Sequence, residues 1–213
     1  MKPRLLDLFC GAGGAAVGYH RAGFEVVGVD IEPQPHYPFE FHQLDALAWL
    51  AYEPLEFDVI HASPPCQSFT VLRNCRPNAK PRWPNLIPQT RKLLQEAGLP
   101  WVIENVPKAP LLDPIQLCGT AFGLRVRRHR WFESSFSLEA PPCNHARFTK
   151  RLFPGSTNRP NGRTVCNIGE YRVPLATQKS CMEIDWEITL HELSEAIPPA
   201  YTEYIGQQLL EQL

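Results

Sequence analysis

No stretch of the 213 residues approaches the roughly 18 consecutive apolar residues that a membrane-spanning helix needs, so no span is expected. The N-terminus, Met1-Lys2-Pro3-Arg4 running straight into Leu5-Leu6-Asp7-Leu8-Phe9, lacks the layout of a secretory signal. The expectation is an intracellular, cytoplasmic protein. Also missing is any C-x-x-C pair. The seven cysteines (Cys10, Cys66, Cys75, Cys118, Cys143, Cys166 and Cys181) form an odd, scattered set, which argues against a disulfide framework and against a standard structural zinc site. Cys143 and His145 are a candidate ligand pair with no partner pair near them in sequence, so no metal is expected. Negative charge is missing locally. Residues 59–95 hold six Lys/Arg and no Asp/Glu, and residues 125–172 hold ten Lys/Arg against three Glu, although the whole chain carries a net charge of -1. A phosphate-facing surface on an acidic scaffold has this distribution, as does a solvated loop surface.

What is present is an ordinary globular composition, 44% hydrophobic and 20% charged, with enough length for one main domain and a small appendage. Apolar runs alternate with helix-like segments over the first hundred residues, which predicts successive βα units on a parallel sheet, an α/β fold. Strands are expected at Leu5–Phe9, Glu25–Asp30, Phe57–Ala62 and Trp101–Glu104. Helices are expected at Ala15–Ala22, Asp45–Ala51, Gln89–Ala97, Thr189–Ala196 and Tyr201–Leu210. Six prolines between residues 64 and 88 exclude helix and central strand there, and a loop that long inside a compact domain is usually functional. Residues 133–180, rich in Pro, Asn, Gly, Arg and Thr, show no sustained helical period and read as a small irregular insertion. No internal repeat is visible.

Three places carry chemistry. Phe9-Cys10-Gly11-Ala12-Gly13-Gly14, between a strand and a helix, suits a nucleotide-type cofactor, because glycines permit a tight turn and the helix N-terminus offers free N–H groups. Asp30 ends the next strand, where a carboxylate can accept from both ribose hydroxyls. Pro64-Pro65-Cys66-Gln67 follows the third strand at the rim where open α/β sheets bind ligands, and a cysteine on a basic loop is expected to favour its thiolate and act as a nucleophile.

These segments, with Glu104-Asn105-Val106 and Arg128-His129-Arg130, stand in the order and at about the spacing of the C5-cytosine methyltransferase family, which the chain resembles over residues 4 to about 132 and more loosely over the last twenty. The resemblance implies a Rossmann-like class I methyltransferase fold with a mostly parallel sheet and a small irregular target-recognition subdomain. It divides the chain into a catalytic and cofactor-binding domain (1–132), a recognition insertion (133–180) and a C-terminal segment returning to the catalytic domain (181–213). It implies S-adenosyl-L-methionine as cofactor, held by Phe9, Gly11, Ala12, Gly13, Gly14, Asp30, Ile31, Asp45 and Pro64, and methyl transfer to C5 of a flipped-out cytosine in double-stranded DNA. Cys66 matches the nucleophile, Glu104 the essential glutamate, and Arg128 and Arg130 the paired arginines. DNA contacts are expected from Gln67, Ser68, Arg73, Arg76, Lys80 and Arg82 on the loop and from Arg159, Arg163 and Arg172 in the insertion. A monomer is expected.

Two positions depart from the family pattern. Val126 replaces the glutamine of Gln-x-Arg-x-Arg, and Glu195 stands where an asparagine is usual, so that a carboxylate would oppose the cofactor's own unless it turns away. The alternatives are an RNA-directed enzyme, although the Cys-Phe-Thr segment typical of the family's tRNA-directed members is absent, and a catalytically silent binding protein.

Overall fold

The computed structural model describes residues 2–52, 56–67, 69, 84–147, 150–151 and 164–213. Ser68, Arg73, Arg76, Lys80, Arg82, Arg159 and Arg163 lie outside the described residues. The N-terminal part alternates β1 (Arg4–Leu8), α1 (Gly14–Ala22), β2 (Glu25–Asp30), β3 (Glu40–Gln43), α2 (Ala46–Tyr52), β4 (Val59–Ala62), α3 (Ile87–Ala97) and β5 (Trp101–Asn105). Then come β6 (Ile115–Leu117), a 3-10 turn (Gly119–Phe122), β7 (Arg130–Ser134), the two-residue strands β8 (Lys150–Arg151) and β9 (Thr164–Val165), α4 (Leu175–Met182), α5 (Leu190–Glu195) and α6 (Pro199–Leu210).

Among the described residues one sheet runs in the order β3-β2-β1-β4-β5-β7-β6. Its first five strands are parallel, while β7 is antiparallel to both β5 and β6. From β1 the chain builds outward first on one side and then, starting with β4, on the other. Such a reversal opens a crevice beyond the carboxyl ends of the two central strands. The glycine turn follows β1 and the Cys66 loop follows β4, so topology alone brings the two motifs together.

Successive strand residues face opposite sides of the sheet. Leu5 points into a layer with Tyr19, Phe24, Ile205 and Leu209, whereas Leu6 and Leu8 point into another with Leu50, Ile60, Ile87 and Leu94. α1 and α6 pack closely enough that a Cβ on Gly18 would stand 2.1 Å from the Pro199 carbonyl oxygen, and Thr202 Oγ1 donates to the Ala15 carbonyl at 2.8 Å. The C-terminal helix therefore returns to the first βα unit, as the sequence suggests. It starts at Pro199, earlier than expected, because proline at the first helical turn loses no hydrogen bond. On the far side, Arg91 of α3 grips the buried Glu133 of β7 with two N–H groups, one at 2.7 Å. Removing one member of such a buried pair typically costs about 3–5 kcal/mol.

Several elements were not expected. β3 is a four-residue edge strand with only partly buried side chains, so it lacks an apolar run. β6 is three residues long, and β7 carries the sheet past the expected boundary at residue 132 to Ser134. α4 crosses the end of residues 133–180, where no sustained helical period is visible in the sequence.

Polar groups also enter the core. His61 is wholly buried in β4, with Nδ1 3.0 Å from the Tyr19 hydroxyl and Nε2 3.0 Å from Ser63 Oγ, and burial drives its pKa down to about 3. The folded pKa lies below the unfolded one, so this contribution to stability is complete above about pH 6.5 and is lost as pH falls toward 3. Asp7, raised well above its ordinary range by burial, works in the opposite direction. Comparison with His61→Gln isolates the histidine: the wild type's stability advantage should shrink by about 2 kcal/mol between pH 7 and pH 5, read from urea midpoints. A constant advantage over that range would mean that His61 titrates normally inside the fold.

Candidate active site

The turn after β1 requires left-handed backbone at Phe9 (φ 56), Gly11 (φ 49) and Gly13 (φ 88). At Gly13 a side chain would also meet Pro38 Cδ at 2.7 Å, whereas a Cβ on Gly11 would enter open space. Asp30, at the end of β2, holds the turn: one carboxylate oxygen accepts from the Gly11 amide and the other from the Glu32 amide, both at 3.0 Å. Beside it Ile31 and Leu44 are 61% and 50% exposed, an unusual apolar pair flanking a carboxylate at the sheet's carboxyl edge. Trp186 reaches over from the C-terminal segment and donates its indole N–H to the Ala12 carbonyl at 3.0 Å. This combination of a glycine turn opening a helix, a carboxylate and exposed apolar side chains fits an adenosyl-type ligand. Asp45 is exposed, and its Oδ1 caps α2 by accepting from Leu47 and Ala48, which leaves its second oxygen for a ligand. Phe9 lies against the Leu6 and Leu8 face.

Across the crevice, Asn105 at the end of β5 donates to the Pro64 carbonyl at 2.8 Å and so ties the Cys66 loop to the strand bearing Glu104. Glu104 is 7% exposed, and Arg130 Nε approaches its Oε1 at 3.0 Å. The approach is a charge contact without hydrogen-bond alignment, since that oxygen has no hydrogen-bond partner. Burial raises the Glu104 pKa, partly offset by Arg130, Arg128 and a hydrogen bond with Ser63. Arg128 is held from both sides: its guanidinium donates to the Ser194 carbonyl, and its own carbonyl accepts from the Tyr201 hydroxyl. Burial and the adjacent Arg130 lower its pKa to about 9, and its Nε lacks a hydrogen-bond partner. Two buried polar atoms, Glu104 Oε1 and Arg128 Nε, are thus left with capacity for a ligand.

Cys66 is half-buried and close enough to Glu104 and Arg130 for its charge state to respond to both. Here the structure corrects the sequence reading. Burial pushes the thiol up, Glu104 and Glu195 push it further, and Arg130 only partly opposes them, so the described surroundings favour the thiol and not the thiolate. Gln67 is exposed beside it.

The two departures also find places. Val126 is 3% exposed among Leu124, Met182, Ile184, Ile188 and Leu193, so an apolar contact to the C-terminal segment replaces an amide. Glu195 has a side chain 57% exposed, 3.9 Å from His191 on its own helix. Ser63 and His61 escaped notice although a signal existed, since a histidine inside an apolar parallel strand is rarely idle. Trp186 had no signal. A cleft of about 580 Å³ lined by Leu94, Trp101, Phe136 and Leu209 contains none of these groups and opens near the start of β5, away from their carboxyl-end rim.

The order of strands, the glycine turn and a cysteine facing a glutamate and two arginines define an α/β protein of Rossmann-like methyltransferase type. The profile of the C-5 cytosine-specific DNA methylase family matches residues 3–111, and the chain belongs to that family. It is 32% identical over 124 residues to the Type II methyltransferase M.AquIA of Picosynechococcus sp., a match covering 50% of this chain and 49% of that protein. The match thus spans about half the length of the curated relative. Entamoeba histolytica methyltransferase EhMeth superposes with a TM-score of 0.67 at 13% identity, covering 100% of this chain and 99% of that one. An E. coli prophage protein described as a DNA modification methyltransferase gives 0.65 at 14% identity, covering 98% and 99%. At such identities the likeness is one of fold.

Proposed function

We propose that the protein transfers a methyl group from S-adenosylmethionine to C5 of a cytosine flipped out of double-stranded DNA, with Cys66 as covalent nucleophile. The observation that carries this reading is the convergence of Cys66 with a buried Glu104 of raised pKa and Arg130 beside a glycine turn braced by Asp30. Asp30 would hold the ribose, Ile31 the adenine face, and the turn from Gly11 to Gly14 the methionine portion. When bound, the cofactor supplies an electrophilic methyl carbon on a sulfonium.

Cytosine C5 is too weak a nucleophile for that carbon. As the Cys66 thiol passes its proton to water, its sulfur adds to C6, forming an S–C6 bond and sending an electron pair toward C5, which gains enamine character. Charge developing toward N3 is met by a proton carried on Glu104, whose burial favours the protonated form more than exposure to water would. Arg128 and Arg130 stabilise the O2 side. After methylation, loss of the C5 proton restores the ring and expels Cys66 as thiolate. C6 is shielded in a stacked duplex, so the base must leave the helix.

Residues 133–180 are assigned as the recognition region. Its exposed Tyr171 and Arg172 suit stacking and phosphate or base contact. A pool of random-sequence duplexes carrying 5-fluorocytosine tests the proposal, because fluorine at C5 cannot leave as a proton does and the adduct persists. The expected result is a denaturation-resistant complex mapping to Cys66. Trapping on RNA alone would transfer the reaction to RNA, and trapping on neither would leave a silent homologue.

A further inference from the structure

Four side chains outside the catalytic pocket converge on one point. Cys118, His129, Cys143 and His145 each offer a ligand atom, and all four atoms lie within 4.8 Å of one another. Cys118 Sγ stands 3.4 Å from His145 Nε2, and Cys143 Sγ stands 3.6 Å from His129 Nε2. Around a tetrahedral zinc ion with ordinary Zn–S and Zn–N bonds, a sulfur and a nitrogen should be about 3.6 Å apart. The partner pair that the sequence seemed to lack comes from across the sheet. β6 and β7 are antiparallel with Leu117 opposite Arg130, so one further step along the ladder sets Cys118 opposite His129.

We propose that this Cys2His2 cluster is a structural zinc site. Two thiolates and two imidazoles in a closed tetrahedron leave no position for water, the arrangement of a structural and not a hydrolytic ion, and they select zinc over harder cations. Protein contacts already shape the site without an ion. The Asn144 amide donates to Thr120 Oγ1 at 3.2 Å, and Arg127 donates to the His145 carbonyl at 3.2 Å, which fixes the Cys143–His145 loop against the 3-10 turn after β6.

The position of the ligands gives the ion a purpose. His129 stands between Arg128 and Arg130, so an ion on its imidazole anchors the backbone from which both arginines reach the pocket. Cys143 and His145 lie near the start of the recognition region. Zinc would therefore clamp the root of that region to the arginine segment, holding the target-reading part in register with the pocket. This role for the clamp rests on the proposed function; the existence of the site does not.

The test is spectroscopic and independent of activity. Reduced protein expressed in zinc-supplemented medium should contain one zinc per chain by elemental analysis. Cobalt exchanged into it should show the intense visible bands of tetrahedral coordination together with thiolate-to-metal charge transfer in the near ultraviolet. Cys118 is fully buried, so its removal risks misfolding, whereas Cys143 is exposed and C143S should fold. That variant should lose about half of the charge-transfer intensity and bind the metal more weakly, and C66S, a half-buried cysteine outside the cluster, should show the wild-type metal spectrum. Chelation should lower the melting temperature, and added zinc should restore it. Folded, fully reduced protein with no bound zinc and no cobalt spectrum would overturn the proposal, as would a Cys118–Cys143 disulfide in freshly prepared protein.

Discussion

Cys66→Ser should abolish methyl transfer while leaving cofactor affinity, measured by calorimetry, nearly unchanged. The serine hydroxyl is a far weaker nucleophile than a thiolate at neutral pH, and the substitution removes one polarizable atom from a rim that the cofactor site borders but does not use. The surroundings sharpen the expectation. They already raise the cysteine's own pKa through burial and through Glu104, and they would hold a hydroxyl even more firmly in its neutral form. Turnover retained by the serine variant would remove Cys66 from the reaction.

Glu104→Gln should produce two effects of opposite sign. Single-turnover methyl transfer should slow by at least ~100-fold, the lower range for loss of a general acid. Alkylation of Cys66 in the free protein by a small neutral reagent should instead become faster at pH values where Glu104 is ionised, because the carboxylate that there raises the thiol's pKa has gone. A residue that merely supported the strand would slow the first reaction without speeding the second. Unchanged single-turnover rates would show that N3 acquires its proton elsewhere, and unchanged alkylation would show that Glu104 does not act on the thiol.

The proposed catalytic constellation was legible because its members sit at strand ends with strong local signals. Apolar runs announced β1, β2, β4 and β5, and a glycine turn, a Pro-Pro-Cys and a Glu-Asn follow or close three of them. Elements stabilised mainly by their neighbours were not legible. β3 completes an edge and needs one partner strand, β6 is three residues long, and α4 alternates small and polar residues around a few buried positions, Gln178, Cys181 and Met182. The thiolate preference expected from the basic loop failed for a similar reason. Among the described residues, burial and a carboxylate from another strand, about 40 residues away, raise the thiol's pKa, and Arg130 only partly opposes them.

The sequence by itself determined the alternation of strands and helices, the glycine turn, the acid that ends the second strand, the side chains proposed to react and the return of the last helix to the first unit. These follow from local rules: periodicity, turn chemistry and the demand that an apolar face be covered. Only the tertiary structure decided which charges surround Cys66, that Ser63 and His61 stand behind Glu104, that Val126 belongs to an apolar cluster, and that Cys118 and His129 meet Cys143 and His145. Each depends on strand order and register, through which residues tens of positions apart become neighbours. A pKa or a ligand shell is a sum over spatial neighbours, and sequence spacing does not contain that sum.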